Sequence, residues 1–237
     1  MCHGSRVLRL FARSAAATIA LTFALAAGAQ NMDGGAENGA DDAESGDAGP
    51  ITPPEDPSGP RWHFRVPDPA TLNAEEAERI YARLRVRMAR RYRLSRLAKI
   101  RNYQKWRRYN RVPYRSVTHG QRYVNNYANP AARSYGRFEN AGRMPVGAIV
   151  AKDSFTVTAG GRVSPGPLFV MEKMPEGFSY VGGDWLYTMV MPDGSLFGQS
   201  NGPGAKRMEF CIACHLAVEQ QDHLFLIPKK FRAHPDG

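Results

Sequence analysis

The chain has 237 residues, a formal net charge of +10 and 23% charged residues. A length of this order fits one domain with appendages. Positive charge on this scale would suggest nucleic acid in a cytoplasmic protein; an export signal at the N-terminus removes that setting, and nucleic-acid binding is set aside.

Arg6, Arg9 and Arg13 come first, followed by an apolar run from Ala15 to Ala27 and by Ala27-Gly28-Ala29 before Gln30. This is the basic, apolar and small-residue order of a secretory signal, so residues 1–29 read as a signal peptide. The run is shorter than the about 20 residues of a spanning helix, and no later segment is apolar enough to cross a bilayer. Residues 30–60 are mostly Gly, Ala, Asp, Glu and Pro, with acids that include Asp33, Glu37, Asp41, Asp42, Glu44 and Asp47. Without large apolar groups to offset the entropy of ordering, they read as a disordered acidic linker.

Residues 61–112 read as a basic helical extension. Asn73 followed by Glu76 is a capping box, and Glu75, Glu76 and Glu78 suit the positive end of a helix dipole. Ile80, Leu84, Met88 and Tyr92 recur every four residues among Arg83, Arg85, Arg87, Arg90, Arg91 and Arg93. That spacing predicts an amphipathic basic helix, continuing after a break at Ser95 through Leu97, Ile100 and Trp106 to Pro113. Its arginines are either a solvated face or a docking surface for an acidic partner.

The domain proper is expected over 113–237. Tyr123, Val124, Tyr127 and Ala131 predict a second helix from Gly120 to Tyr135. Beyond it the period changes to that of strands: Val146 to Val157, a turn at Gly160-Gly161, Leu168 to Met174, Asp184 to Met191, a turn at Met191-Pro192-Asp193-Gly194, and a returning strand from Ser195 to Gly198. The fold class is α+β: an antiparallel sheet flanked by helices, preceded by the long basic helix and closed by a C-terminal helix.

That last helix carries Cys211-Ile212-Ala213-Cys214-His215, the c-type haem attachment motif. Each cysteine adds to a haem vinyl group and the histidine becomes the proximal iron ligand. Covalent attachment of this kind takes place outside the bacterial cytoplasm, which agrees with the export signal and predicts a periplasmic protein with one covalent haem c. A thioredoxin-like pair would need a βαβ context. A zinc site would need four ligands, for which Cys211, Cys214, His215 and His223 are the available set. His223, eight residues beyond His215, would stand about 12 Å further along a continuing helix and could not reach the other side of the same iron. Met171, Met174, Met189, Met191, Met208 and His119 are more simply core or hydrogen-bonded residues than sixth ligands. The iron is expected to be five-coordinate, open to a small ligand.

The sequence resembles the cytochrome P460 family in Gly147-Ala148-Ile149-Val150-Ala151-Lys152, in Gly183-Asp184-Trp185, in the Pro192-Asp193-Gly194 turn, in the late haem motif, and in Asp222 and Phe225 after it. The resemblance runs from about residue 115 to 232. It implies a largely antiparallel sheet, a homodimer and one haem c with His215 proximal. Some members link a lysine to the haem macrocycle and oxidise hydroxylamine; the related c′-beta type lacks the link, binds nitric oxide and has an apolar distal pocket. Lys152 is the best-placed lysine for such a link, because it shares strand parity with Val146, Ala148 and Val150; Lys173 is the weaker alternative. Asp153, Glu172 and Asp184 are the carboxylates in range for proton transfer, with Asp184 carried as the catalytic candidate. The functional expectation is binding or redox conversion of hydroxylamine or nitric oxide. The alternative is a non-enzymatic electron carrier docking through the arginine-rich helix.

Overall fold

The structure is a computed structural model that describes residues 65–233. The signal peptide and acidic linker fall outside those residues. Helix α1 spans Ala74–Tyr92 and begins as its sequence requires: Asn73 Oδ1 accepts from the Glu76 N–H, and Glu76 Oε2 accepts from the Asn73 N–H, each at 2.9 Å. Its buried stripe is Ala77, Tyr81, Leu84, Met88 and Tyr92. Tyr81 takes the place expected of Ile80, which is only half-buried.

The helix stops at Tyr92 instead of running on to Pro113. Arg96 adopts a left-handed φ of 60°, and short 3-10 turns lead to strand β1, Arg107–Arg108. The predicted helix over Gly120 to Tyr135 is also absent. That stretch holds strand β3, Arg122–Ala128, and then 3-10 turns from Pro130 to Asn140. Tyr123, Val124 and Tyr127 match a four-residue period, but they are aromatic or β-branched, and every residue from Tyr123 to Ala128 is buried. A strand covered on both faces carries no alternation to betray it.

Four strands lie close to their expected positions: β4 Ile149–Val157, β6 Leu168–Lys173, β7 Trp185–Val190 and β8 Leu196–Gln199; two short ones, β2 Tyr114–Ser116 and β5 Val163–Pro165, were not expected. All the strands form one antiparallel sheet, eight-stranded among the described residues, in the order β1-β3-β4-β6-β7-β8, with β2 paired to β3 and β5 to β4. The β4–β5 hairpin turns at Gly161, whose N–H donates to the Thr158 carbonyl, and the β7–β8 turn closes where the Gly194 N–H donates to the Met191 carbonyl. Helix α2, Glu209–Leu216, carries the cysteines and His215.

Strand parity divides the core into two layers. Ile149, Ala151, Val170 and Val190 face α1, with Tyr81, Met88 and Tyr92. Val150, Met171, Tyr187 and Met189 face the other way, toward Met208, Leu224 and the α2 residues Phe210 and Cys211. Lys152 shares the parity of Val150, and Asp153 that of Ala151, so neighbouring residues point into opposite layers.

Candidate haem site

Between the sheet and α2 lies a cavity with about 950 Å³ of empty space, mouth included. Val150 and Lys152 of β4, Phe169 and Met171 of β6 and Tyr187 of β7 supply the sheet wall. Cys211, Cys214 and His215 supply the opposite wall, and His119 stands in the loop before β3.

The His215 ring is fixed from behind. Its Nδ1 donates to the His223 carbonyl oxygen at 2.6 Å, which leaves Nε2 as the lone-pair nitrogen an iron would take. Phe225 and Tyr187 pack edge-on against the ring at 5.1 and 5.3 Å between centroids. Burial lowers the ring's pKa to about 4, so it stays neutral, the form that ligates metal.

The carbonyl reaches His215 because the helix does not continue. After Leu216 the chain reverses, with Asp222 and His223 both left-handed at φ 52° and 61°. Two such residues in succession cost energy, and a buried polar cluster holds them there. Asp222 Oδ1 accepts from Lys173 Nζ at 2.5 Å, its Oδ2 accepts from the Met144 N–H at 2.8 Å, and its carbonyl accepts from Trp185 Nε1 at 2.8 Å. Gly183 faces the His223 ring so closely that a Cβ there would fall 2.2 Å from it. The Gly183-Asp184-Trp185 and Asp222 elements thus brace His215 through the His223 carbonyl, a role spacing alone did not disclose.

Of the sequence-predicted site residues, the structure brings Lys152, Cys211, Cys214 and His215 to one cavity. Lys152 is 8% exposed and its side chain makes no hydrogen bond or ion pair among the described residues; burial lowers its ammonium to about 8. Lys173 is committed to Asp222 and to the Gly183 carbonyl. Asp184 does not line the cavity: it caps the turn before β7, accepting from the Ser179 N–H at 3.0 Å and from Arg143 at 3.2 Å, and the Ser179 bond above all holds its carboxyl below the usual range. Glu172 is paired with Lys99. Asp153 faces α1, where Tyr81 and Tyr103 donate to it at 2.7 and 2.8 Å. Among the described residues, no carboxylate lines the cavity.

His119, expected to be a hydrogen-bonded histidine and no part of the site, is hydrogen-bonded and also stands at the cavity. Its Nδ1 lies 3.0 Å from Ser116 Oγ and 3.1 Å from Thr118 Oγ1, its ring packs against Phe169, and it lines the cavity. With Nδ1 engaged, Nε2 is left for a partner. Ser116-x-x-His119 was the available signal, and it is too short to be specific.

The fold and the site together define a class: an antiparallel sheet whose cavity is closed by a C-terminal helix bearing two cysteines and a histidine. The sequence model of the cytochrome P460 family matches residues 100–226, more than half of the chain, and the protein belongs to that family. No curated protein matches the sequence. Family membership implies a haem cofactor, and the residues present fit one: two cysteines and a pre-oriented neutral histidine on one wall, aromatic and aliphatic side chains on the other, and a buried Tyr187 hydroxyl with no hydrogen-bond partner among the described residues. Among the described residues, Cys211, Cys214, His215 and His223 do not gather into a group that could hold a metal ion by themselves. No helix among the described residues is long and apolar enough to cross a membrane.

Proposed function

We propose that the chain is exported to the periplasm and carries one haem c, joined by thioethers to Cys211 and Cys214 and ligated by His215, and that it binds or redox-converts hydroxylamine or nitric oxide. The observation that carries the reading is the His215 ring, set beside both cysteines at a cavity wall with Nδ1 tied to the His223 carbonyl. Haem bound there supplies a redox-active iron with a position for a small ligand.

The chain's own residues do the rest. Phe169, Met171 and Val150 exclude water from the sheet side of the cavity. Lys152 brings an amine that burial keeps partly neutral near pH 8, and a neutral amine is a nucleophile; this supports the lysine-linked, hydroxylamine-oxidising branch. Oxidising hydroxylamine also requires a proton acceptor. His119 Nε2 fills that role better than Asp184, Asp153 or Glu172, none of which lines the cavity. The electron-carrier reading draws less support, because the α1 arginines sit across the sheet from the cavity.

An optical spectrum of the ferrous protein, with and without carbon monoxide, tests the proposal. A carbon monoxide-induced shift from a strongly red-shifted Soret band is the expected outcome. A shift from an ordinary band would restrict the function to ligand binding. No shift would mean a saturated iron and an electron carrier.

A further inference from the structure

At the β1 edge of the sheet, a second cleft opens with about 1730 Å³ of space, mouth included. Five cations line it: Lys105, Arg107, Arg133, Arg137 and Arg143. All five are exposed, and among the described residues no carboxylate lines the cleft. Arg143 is paired with Asp184, which lies outside the lining. The arrangement therefore puts a concentrated positive field on one concave surface, where charge steers an oppositely charged protein.

The floor of this cleft touches the haem cavity through aromatic rings. Tyr109 lines the cleft, and its ring meets Tyr135 edge-on at 5.5 Å between centroids. Tyr135 lines the haem cavity, and its hydroxyl donates to the Phe225 carbonyl at 3.4 Å. Phe225 packs against the His215 ring at 5.1 Å. The contact is built into the backbone: a Cβ on Gly136 would fall 2.4 Å from the Tyr109 ring, so only glycine lets Tyr109 lie there. Arg107 sits over the outer face of Tyr109 at 5.3 Å. A continuous run of packed groups thus joins His215 to the floor of this basic cleft, whereas the arginines of α1 have the whole sheet between them and the haem cavity.

We propose that this cleft docks an acidic one-electron redox protein, and that electrons pass between it and the haem through Tyr109, Tyr135 and Phe225. In each encounter one electron leaves the ferrous haem, which becomes ferric, and the partner's oxidised centre gains it. The proposal rests on the haem reading above and names the partner surface for it.

The test uses the haem-loaded protein, reduced anaerobically and mixed with an oxidised acidic blue-copper protein. Lys105→Glu/Arg133→Glu/Arg137→Glu should slow the bimolecular rate about tenfold or more at low salt, with the gap closing near 1 M, where screening is about 3 Å. Arg83→Glu/Arg87→Glu/Arg91→Glu changes the net charge equally but on α1, and should slow it by no more than about twofold. Tyr109→Leu should slow electron transfer within the docked complex, and Tyr109→Phe should restore it. A neutral small oxidant should react alike with every variant, which shows the haem intact. Equal slowing by the two charge reversals, or slowing by the α1 set alone, would overturn the proposal. So would a cleft variant that changes the oligomeric state and leaves the rate unchanged, for the cleft would then be a contact between copies of this chain. A purified protein without haem would overturn the haem reading itself, before any rate is measured.

Discussion

His215 is neutral and aimed because three things act on one ring: a carbonyl behind it, two aromatic edges beside it and burial around it. Lys152 is the opposite case, a cation in the same cavity with nothing to balance it. Its folded pKa, about 8, lies below the ordinary 10.5. Between those values the unfolded chain holds more protons, so stability rises with pH across that window. In a Cys211→Ala/Cys214→Ala background, Lys152→Met should stabilise the fold by about 2 to 3 kcal/mol at pH 7. The gain should shrink as pH rises through 8 toward 10, as urea unfolding would show; an equal gain at pH 6 and 10 would mean that the amine is well solvated. In the loaded wild type, digestion should yield the Cys211–Cys214 haem peptide joined to a peptide containing Lys152, and Lys152→Leu should lose the red-shifted band while keeping the haem. A wild-type haem peptide without a lysine partner would leave ligand binding alone. For His119, replacement by Leu should shift the stretching frequency of carbon monoxide bound to the ferrous protein, since a polar nitrogen would be lost from the pocket. An unmoved frequency would place His119 away from the bound ligand.

The elements that serve the site divide into those a sequence can announce and those it cannot. The haem motif, the α1 capping box, the Gly160-Gly161 and Pro192-Asp193-Gly194 turns and strands β4, β6 and β7 are written in local chemistry: fixed spacing, caps, left-handed glycines, β-branched runs. Strand β3 was hidden because both its faces are buried, and its aromatic spacing imitates a helix. The reversal after α2 was hidden because two non-glycine residues, Asp222 and His223, take left-handed backbone that only tertiary bonds sustain. Lys152's place in the cavity followed from parity along β4, while the displacement of Asp184 to a turn cap followed from a contact with Ser179 that no period encodes. This brace should be brittle. Gly183→Ala would put a side chain onto the His223 ring at a left-handed φ of 61°, and should cost about 2 kcal/mol or more. It should also shift the iron–histidine stretch of the loaded protein, because the His223 carbonyl would move. Asp222→Ala would leave Lys173 buried without its carboxylate partner, at a cost of about 3 to 5 kcal/mol. Thermal unfolding of the two variants checks both, and melting temperatures at the wild-type value would show that the reversal holds itself.

At the scale of the whole molecule, the sheet is a partition. One layer, between sheet and α1, is structural: Asp153 buries its carboxylate among Tyr81, Tyr103 and Asn125, and burial raises its pKa above the ordinary range despite those bonds. The other layer holds the cavity with Lys152, His119 and His215, and opens toward the basic cleft through Tyr135 and Tyr109. Asp153→Ala should therefore destabilise the fold by about 3 kcal/mol, leaving several buried donors unpaired, yet leave the haem spectrum of the folded fraction unchanged; a shifted Soret band would contradict that separation. The central claim, that haem is joined to this chain at Cys211 and Cys214, is tested most directly by the mass of the denatured protein after expression with the haem-attachment machinery. The wild type should carry one haem through denaturation, on the peptide that contains Cys211, Cys214 and His215, and Cys211→Ala/Cys214→Ala should carry none. A wild-type chain that emerges from denaturation without haem would contradict the account.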